Sequence, residues 1–165
     1  MADEIGRVMV FERAGRSYAV AAGRVAEVAV NLHVTPVPLT GKAIRGLVPL
    51  HGHPLAIVDL TAWLSAPNEA PLADEIVSQM LVLEIDVPGG ATAVRFAVIA
   101  DRVIGYRSIP IESPDALPAP PAFVTGRGAA GTTADLQTVT LIDAHRLFEA
   151  TLASMPEPMI AGTGA

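Results

Sequence analysis

The chain has 165 residues, no cysteine, 51% hydrophobic residues and a formal net charge of −6. That length suits one or two small domains with a substantial apolar core, and the missing thiols exclude disulfides, thiolate metal sites and a cysteine nucleophile. An acidic balance without any basic block argues against nucleic acid or anionic lipid as the main partner, and no apolar run approaches the roughly 20 residues of a membrane-spanning helix.

The opening residues, MADEIGRVMVFE, carry early acids and no long apolar segment, so they do not read as a secretory signal and a cytoplasmic protein is expected. Val8 to Glu12 and Ser17 to Ala21 read as strands flanking a tip at Ala14-Gly15-Arg16. Val25 to Val30 fits either a strand or a short bent segment. Thr35-Pro36-Val37-Pro38 is extended, since two prolines exclude helix and a central strand.

Ile44 to Leu64 organises the rest. Ile44 to Leu50 and Leu55 to Leu60 are apolar arms around the polar tip His51-Gly52-His53-Pro54, a hairpin signal. Gly52 supplies the positive φ that such a turn demands, and Pro54 fixes φ as the second arm begins. Asp59, just ahead of Leu60-Thr61-Ala62-Trp63-Leu64, is placed to cap a short helical turn.

Ser65 to Glu75 is polar and acidic, and reads as a connection. Met80 to Val87 and Val94 to Ala100 are strands about Pro88-Gly89-Gly90. Tyr106 to Pro110 is another, and Leu136 to Ile142 is the last. Ile111 to Pro121, with four prolines, is a loop. Asp143 then caps a helix in which Ala144, Leu147, Phe148, Thr151, Leu152 and Met155 share one face, so Leu147, Phe148 and Leu152 are expected to be buried. Pro156 stops it, and 156–165 is a flexible tail. Short strands at short intervals with turns between them predict an all-β fold of small barrels or a sandwich.

An internal repeat runs through this pattern. Tyr18 to Val25 resembles Phe96 to Val103, Val10-Phe11-Glu12 resembles Val82-Leu83-Glu84, Ile44-Arg45-Gly46 resembles Val124-Thr125-Gly126, and Ile57-Val58-Asp59-Leu60 resembles Leu141-Ile142-Asp143-Ala144. Four matches in one order indicate two related halves of roughly eighty residues. Tyr18 should then superpose on Phe96, and Asp59 on Asp143.

Other motifs are weaker. Gly126 to Gly131 fits GxGxxG, but a dinucleotide site needs a helix after the glycines, and Thr132 to Thr140 leads into strand, so a hairpin without nucleotide is expected. His51 and His53, with His33 or His145 as a distant third, are too scattered for a zinc site. No serine sits in a nucleophile elbow, and Asp59 and Asp101 at strand ends suit capping better than a catalytic pair.

The stretch Ile44, Gly46, Leu50, Gly52, Ile57, Val58, Asp59 and Leu60 resembles the central motif of the CheW-like coupling domains of bacterial chemotaxis, Ile-x-Gly-x-x-x-Leu-Arg-Gly followed by an apolar strand ending in Asp-Leu. The family's Arg is His51 here, and its usual Asn is Pro49. The resemblance implies two similar five-stranded, SH3-like barrels sharing a hydrophobic core, with a C-terminal helix. It further implies one domain over 1–155, made of halves at about 8–64 and 77–155 whose strands can be exchanged, joined by a connecting loop at 65–76. No catalysis and no cofactor or metal are implied. The partners it implies are the regulatory domain of a CheA-type histidine kinase and the cytoplasmic tip of a chemoreceptor, with recruitment to membrane receptor arrays. Val25, Glu27 and Val28 match the family's Val-x-Glu-Ile segment, His51 and Gly52 its Arg-Gly tip, and Asp101 and Val103 its Val-Asp-x-Val segment. Together with Gly46 these are the expected partner-binding residues, while Asp59 and Asp143 are structural caps. His51 is expected beside Glu27, where a conditional cation replaces a permanent one. The competing reading is a β-barrel that binds a small ligand or acts as an enzyme outside chemotaxis.

Overall fold

The structure, a computed structural model, describes residues 4–37, 43–64, 75–112, 123–130 and 137–155. Among the described residues, ten strands and two α-helices follow one another: β1 Glu4–Arg13, β2 Arg16–Ala21, β3 Val25–Val34, β4 Ile44–Leu50, β5 His53–Val58, α1 Thr61–Leu64, β6 Glu75–Ile85, β7 Val94–Ala100, β8 Arg102–Glu112, β9 Val124–Ala130, β10 Gln137–Ile142 and α2 Ala144–Ala153. The ambiguous segment from Val25 is a strand with a bend in it: the register against β6 shifts between Val25 and Glu27, leaving Ala26 as the extra residue of a bulge.

Strands β1-β2-β10-β9-β8 form a closed barrel, and β3-β6-β7-β5-β4 form a second five-stranded sheet. Each therefore takes two strands from one half of the sequence and three from the other. The repeat is visible in the register. Leu141 lies opposite Ala19 and Ile142 opposite Val20 in a parallel pair. Ile57 lies opposite Ala97 and Val58 opposite Val98 in the matching parallel pair of the other sheet. The Asp59 amide donates to the carbonyl of Ala43 at 2.9 Å, and the Asp143 amide to that of Phe123 at 2.8 Å. Tyr18 and Phe96 thus occupy equivalent places, as do the two aspartates.

This arrangement explains why β1, β6 and β7 read as nearly continuous apolar runs rather than alternating ones. Successive residues point to opposite faces, and in these strands both faces are covered. Val8 and Val10 face the closed barrel's interior with Ala19, Ile109, Val139 and Leu141. Met80 and Val82 do the same inside the second sheet with Val48, Ile57, Ala97 and Ile99. The alternate residues Met9, Phe11, Leu81, Leu83 and Ile85 meet between the two units, with Tyr18, Phe96, Phe123 and Leu147, in one shared core. The expected all-β fold of two five-stranded units sharing a core, with one C-terminal helix, is what the chain forms.

Helix α2 is capped as its sequence predicts: the Asp143 side chain accepts from the amide of Arg146. Ala144, Leu147 and Thr151 are buried, and the Thr151 hydroxyl is satisfied by the Leu147 carbonyl at 2.8 Å. Leu152, expected inside, is 45% exposed. At 3.6 residues per turn it lies roughly 100° around the axis from the centre of the buried face, too far for a ten-residue helix resting on one groove to cover it. Phe148 is half-buried, its ring 5.8 Å from that of Phe96. Leu147→Ala should cost about 3 kcal/mol, Phe148→Ala about 2, and Leu152→Ala less than about 0.5, measured by urea melts.

Three other expectations change. Ile111 and Glu112 are not loop but the end of β8, because they pair with Gly128 and Arg127. Gly126 to Ala130 is strand β9 rather than a hairpin tip; Gly128 is there because a Cβ would meet Ile109 Cδ1 at 2.7 Å and the Pro110 carbonyl oxygen at 2.9 Å. Glu75 and Ile76 already belong to β6 rather than to the connection. The remainder of that connection, most of the proline-rich loop, Gly131 and the tail at 156–165 lie outside the described residues.

Candidate functional site

Two tight hairpins carry the candidate residues. Arg13 pairs with Arg16 across Ala14-Gly15, and Leu50 pairs with His53 across His51-Gly52. Both two-residue tips have positive φ throughout: 51° and 74° at Ala14 and Gly15, 49° and 80° at His51 and Gly52. That is the turn whose twist matches the flanking strands, and it places a non-glycine residue in the left-handed region at some cost.

The turn aims His51 at β3. Its Nε2 lies 2.9 Å and 3.1 Å from the two carboxylate oxygens of Glu27. A carboxylate oxygen only accepts, so Nε2 carries the hydrogen. The side chains are 69% and 32% exposed, an open pair as expected for these two positions. The same two strands carry exposed apolar residues, Val28 and Val30 on β3 and Leu47 on β4. Leu47 also makes the bridge between the outer strands of the second sheet, exchanging two 2.9 Å backbone hydrogen bonds with Thr35. Gly46 is buried against that bridge.

A second cluster ties the two units together. The buried carboxylate of Asp59 accepts from Arg13 Nε at 3.1 Å and Nη2 at 2.8 Å, from Arg45 Nε at 2.9 Å, and from the Thr61 amide at 3.1 Å. Arg13 also reaches Asp101 through Nη1 at 2.9 Å, and the other Asp101 oxygen accepts from the Ala14 amide at 2.8 Å. Arg13 thus stands between Asp59 of the second sheet and Asp101 at the crossing from β7 into β8. Arg45 reaches Asp59 because it is the extra residue of a bulge in β4, where the register shifts between Ile44 and Gly46; such a bulge redirects one side chain. Burial pushes the Asp59 carboxyl up, but the Arg13 guanidinium and the Thr61 donors outweigh burial and hold it at about 2. Arg13 is driven above the ordinary arginine value: burial opposes its charge, and the two aspartates more than offset burial.

The candidates therefore fall into two groups. Glu27, Val28, Gly46, His51 and Gly52 gather along the outer strands of the second sheet. Asp101 joins Asp59 at the junction. Val25 and Val103, equivalent by the repeat, are half-buried against the shared core, and the Val103 amide donates to Gln79 Oε1 at 2.6 Å. Among the described residues the Asp143 side chain serves as a cap, whereas Asp59 is both a cap and the centre of an ionic cluster. The sequence reading passed over Arg13 and Arg45. A charged residue inside the apolar run Ile44 to Leu50 was the available signal, because such a residue needs a partner when buried. Exposed Val30 and Leu47 were also missed, since they are apolar residues on the open faces of β3 and β4, where a polar residue would have marked the alternation.

The CheW-like domain profile matches residues 7–152. Among solved structures, the crystal structure of the scaffolding protein TtCheW from Thermoanaerobacter tengcongensis is similar at a TM-score of 0.65 and 25% identity, over 90% of this chain and 94% of that one. No curated protein matches. No described helix is long and apolar enough to cross a membrane. The chain belongs to the CheW-like domain family.

Proposed function

We propose that this protein is a non-enzymatic scaffold of a chemotaxis or related array, coupling a chemoreceptor to the regulatory domain of a CheA-type histidine kinase. The observation that carries the reading is the family match over 7–152, joined to a whole-chain likeness to a CheW scaffolding protein. The second sheet's outer strands support it. They gather Glu27, Val28, His51 and Gly52, the positions that family resemblance assigns to partner contact, and also carry exposed Val30 and Leu47. Exposed apolar residues on strands that also carry polar groups are the composition of a protein-docking surface. The barrel interiors do not favour a small-ligand reading, because packed aliphatic side chains occupy both.

Association is the chemistry required of such a scaffold: it holds kinase and receptor together so that one biases the other. Val28 is 38% exposed, so Val28→Glu should fold normally while placing a charge in the contact. Affinity for the isolated regulatory domain of a CheA-type kinase, by titration calorimetry, should fall at least tenfold in that variant. Absence of binding by the folded wild-type protein to both kinase domain and receptor tip would overturn the reading.

A further inference from the structure

The β1–β2 and β4–β5 hairpins end in the same two-residue turn, but their neighbours hold them differently. At the β1–β2 tip the flanking ladders run to the turn on both sides: Glu12 pairs with Arg102 of β8, and Ser17 with Val139 of β10. The Ala14 amide is then fastened to Asp101. At the β4–β5 tip the flanking ladders stop short. The only β-pairing described across the seam between β3 and β4 is the bridge of Thr35 with Leu47. On the other side, the parallel pairing of β5 with β7 is described only at Ile57 and Val58. The matching parallel pair of the closed barrel has four steps, Ser17 to Val20 against Val139 to Ile142.

Both stops coincide with a proline. In an antiparallel ladder the backbone groups of one residue face one neighbour, and those of the next residue face the other. Leu47 gives both its N–H and its C=O to Thr35, so Pro49, two residues on, also faces β3. It has no N–H with which to continue that ladder. Pro54 pairs in register with Pro49, so its backbone turns away from β4, toward β7. Three residues before Ile57 and Ala97, their register sets Pro54 level with Val94, the first residue of β7. There too the N–H is missing. The ladder within the hairpin is untouched, because Val48 and Leu50 face β5.

We propose that Pro49 to Pro54 is a flap, freed from both neighbouring strands by a proline on each edge, and that a docked partner holds it closed. The second clause rests on the adaptor reading above; the first does not. Val48 and Leu55 are buried and set the line about which the flap moves. Beyond them Pro49, His51, Gly52, His53 and Pro54 are exposed. The described contacts that keep the flap closed are made by side chains. Leu50 packs, partly buried, against the core of the second sheet. His51 reaches Glu27 in a pair open to solvent. One half-buried leucine and one open pair are weak restraints beside a backbone ladder on each flank, so the flap opens at a small fraction of the cost of global unfolding.

Amide hydrogen exchange on the full chain tests the flap without any partner. Arg13 with Arg16 and Leu50 with His53 are the last ladder pairs before their turns, so their amides are matched probes. Corrected for intrinsic rates, Leu50 and His53 should be less protected than Arg13 and Arg16 by about tenfold or more. Equal protection overturns the flap. The double variant Pro49→Ala, Pro54→Ala returns a donor to each edge. Its Leu50 and His53 amides should gain about fivefold protection relative to Arg13 and Arg16, a ratio that cancels any change in global stability. No gain overturns the role of the prolines. With a saturating kinase regulatory domain, wild-type Leu50 and His53 should gain about tenfold protection while Arg13 and Arg16 stay within about twofold. Binding that leaves the flap amides unchanged overturns the claim about the partner and leaves the adaptor reading standing. No binding defeats the adaptor reading and that claim with it, while exchange in the free protein still decides the flap.

Discussion

Asp59→Ala should destabilise the fold by about 3–5 kcal/mol, the range found when one partner of a buried ion pair is removed. The carboxylate is fully buried and its two guanidinium partners are 16% and 15% exposed. Deleting it leaves two arginines close together in a site that water only partly reaches. Neither can simply swing away: Arg13 is pinned to Asp101, and Arg45 is directed inward by its bulge. Arg45→Ala should cost far less, about 1 kcal/mol, because Asp59 keeps Arg13 and the Thr61 amide. Urea melts at pH 7 give both numbers. A loss below about 1 kcal/mol for Asp59→Ala would show that the cluster does not hold the units together.

The same carboxylate predicts an acid limb. Its folded pKa is lowered from 3.8 to about 2. The group therefore adds stability that is fully present above about pH 4 and is lost as pH falls toward 2, amounting to about 2 kcal/mol. Wild-type stability should drop by that much more between pH 4 and pH 2 than the stability of Asp59→Asn, which has nothing to protonate there. Parallel curves for the two proteins would contradict the ionic account of the cluster.

How much of this could be read in the sequence differs between fold and site. The repeat was legible because each half keeps the same punctuation, Tyr-Ala-Val against Phe-Ala-Val and Ile-Val-Asp against Leu-Ile-Asp, at the positions where the parallel strand pairs form. The exchange of strands between halves came only from the family resemblance and not from the residues, because pairing partners are chosen by long-range packing and leave no local mark. The pair His51–Glu27 was legible through the family's motif, since both residues sit at matched positions. Arg13–Asp59–Arg45 was not, because it depends on a bulge and on a crossing between sheets, neither of which has a period to detect. Leu152 was misplaced for a related reason: spacing identifies a stripe, but only the groove beneath it decides how wide a stripe is covered.

Gly46→Ala should be as damaging as a core truncation, although it adds a single methyl group. A Cβ at Gly46 would overlap the carbonyl oxygen of Thr35 and lie 2.8 Å from its carbonyl carbon and 2.9 Å from Val34 Cγ1. Two of these atoms are backbone, so no side-chain rotation relieves the overlap. The obstructed group is the carbonyl that receives the Leu47 amide, so the strand must move away from the one bridge described between β3 and β4. The φ of Gly46, 156°, lies where side chains are rarely accommodated, which adds to the cost. Together these give about 2–4 kcal/mol, or a fall in Tm of roughly 5–15 °C for a chain of this size. The substitution should also weaken kinase-domain binding, because it opens the seam that carries Val28, Leu47 and the His51–Glu27 pair. The two effects are separable. Gly46→Ala loses stability and binding together, whereas Val28→Glu loses binding alone. Gly46→Ala with an unchanged melting curve and lost binding would instead make Gly46 a point of direct contact with the partner.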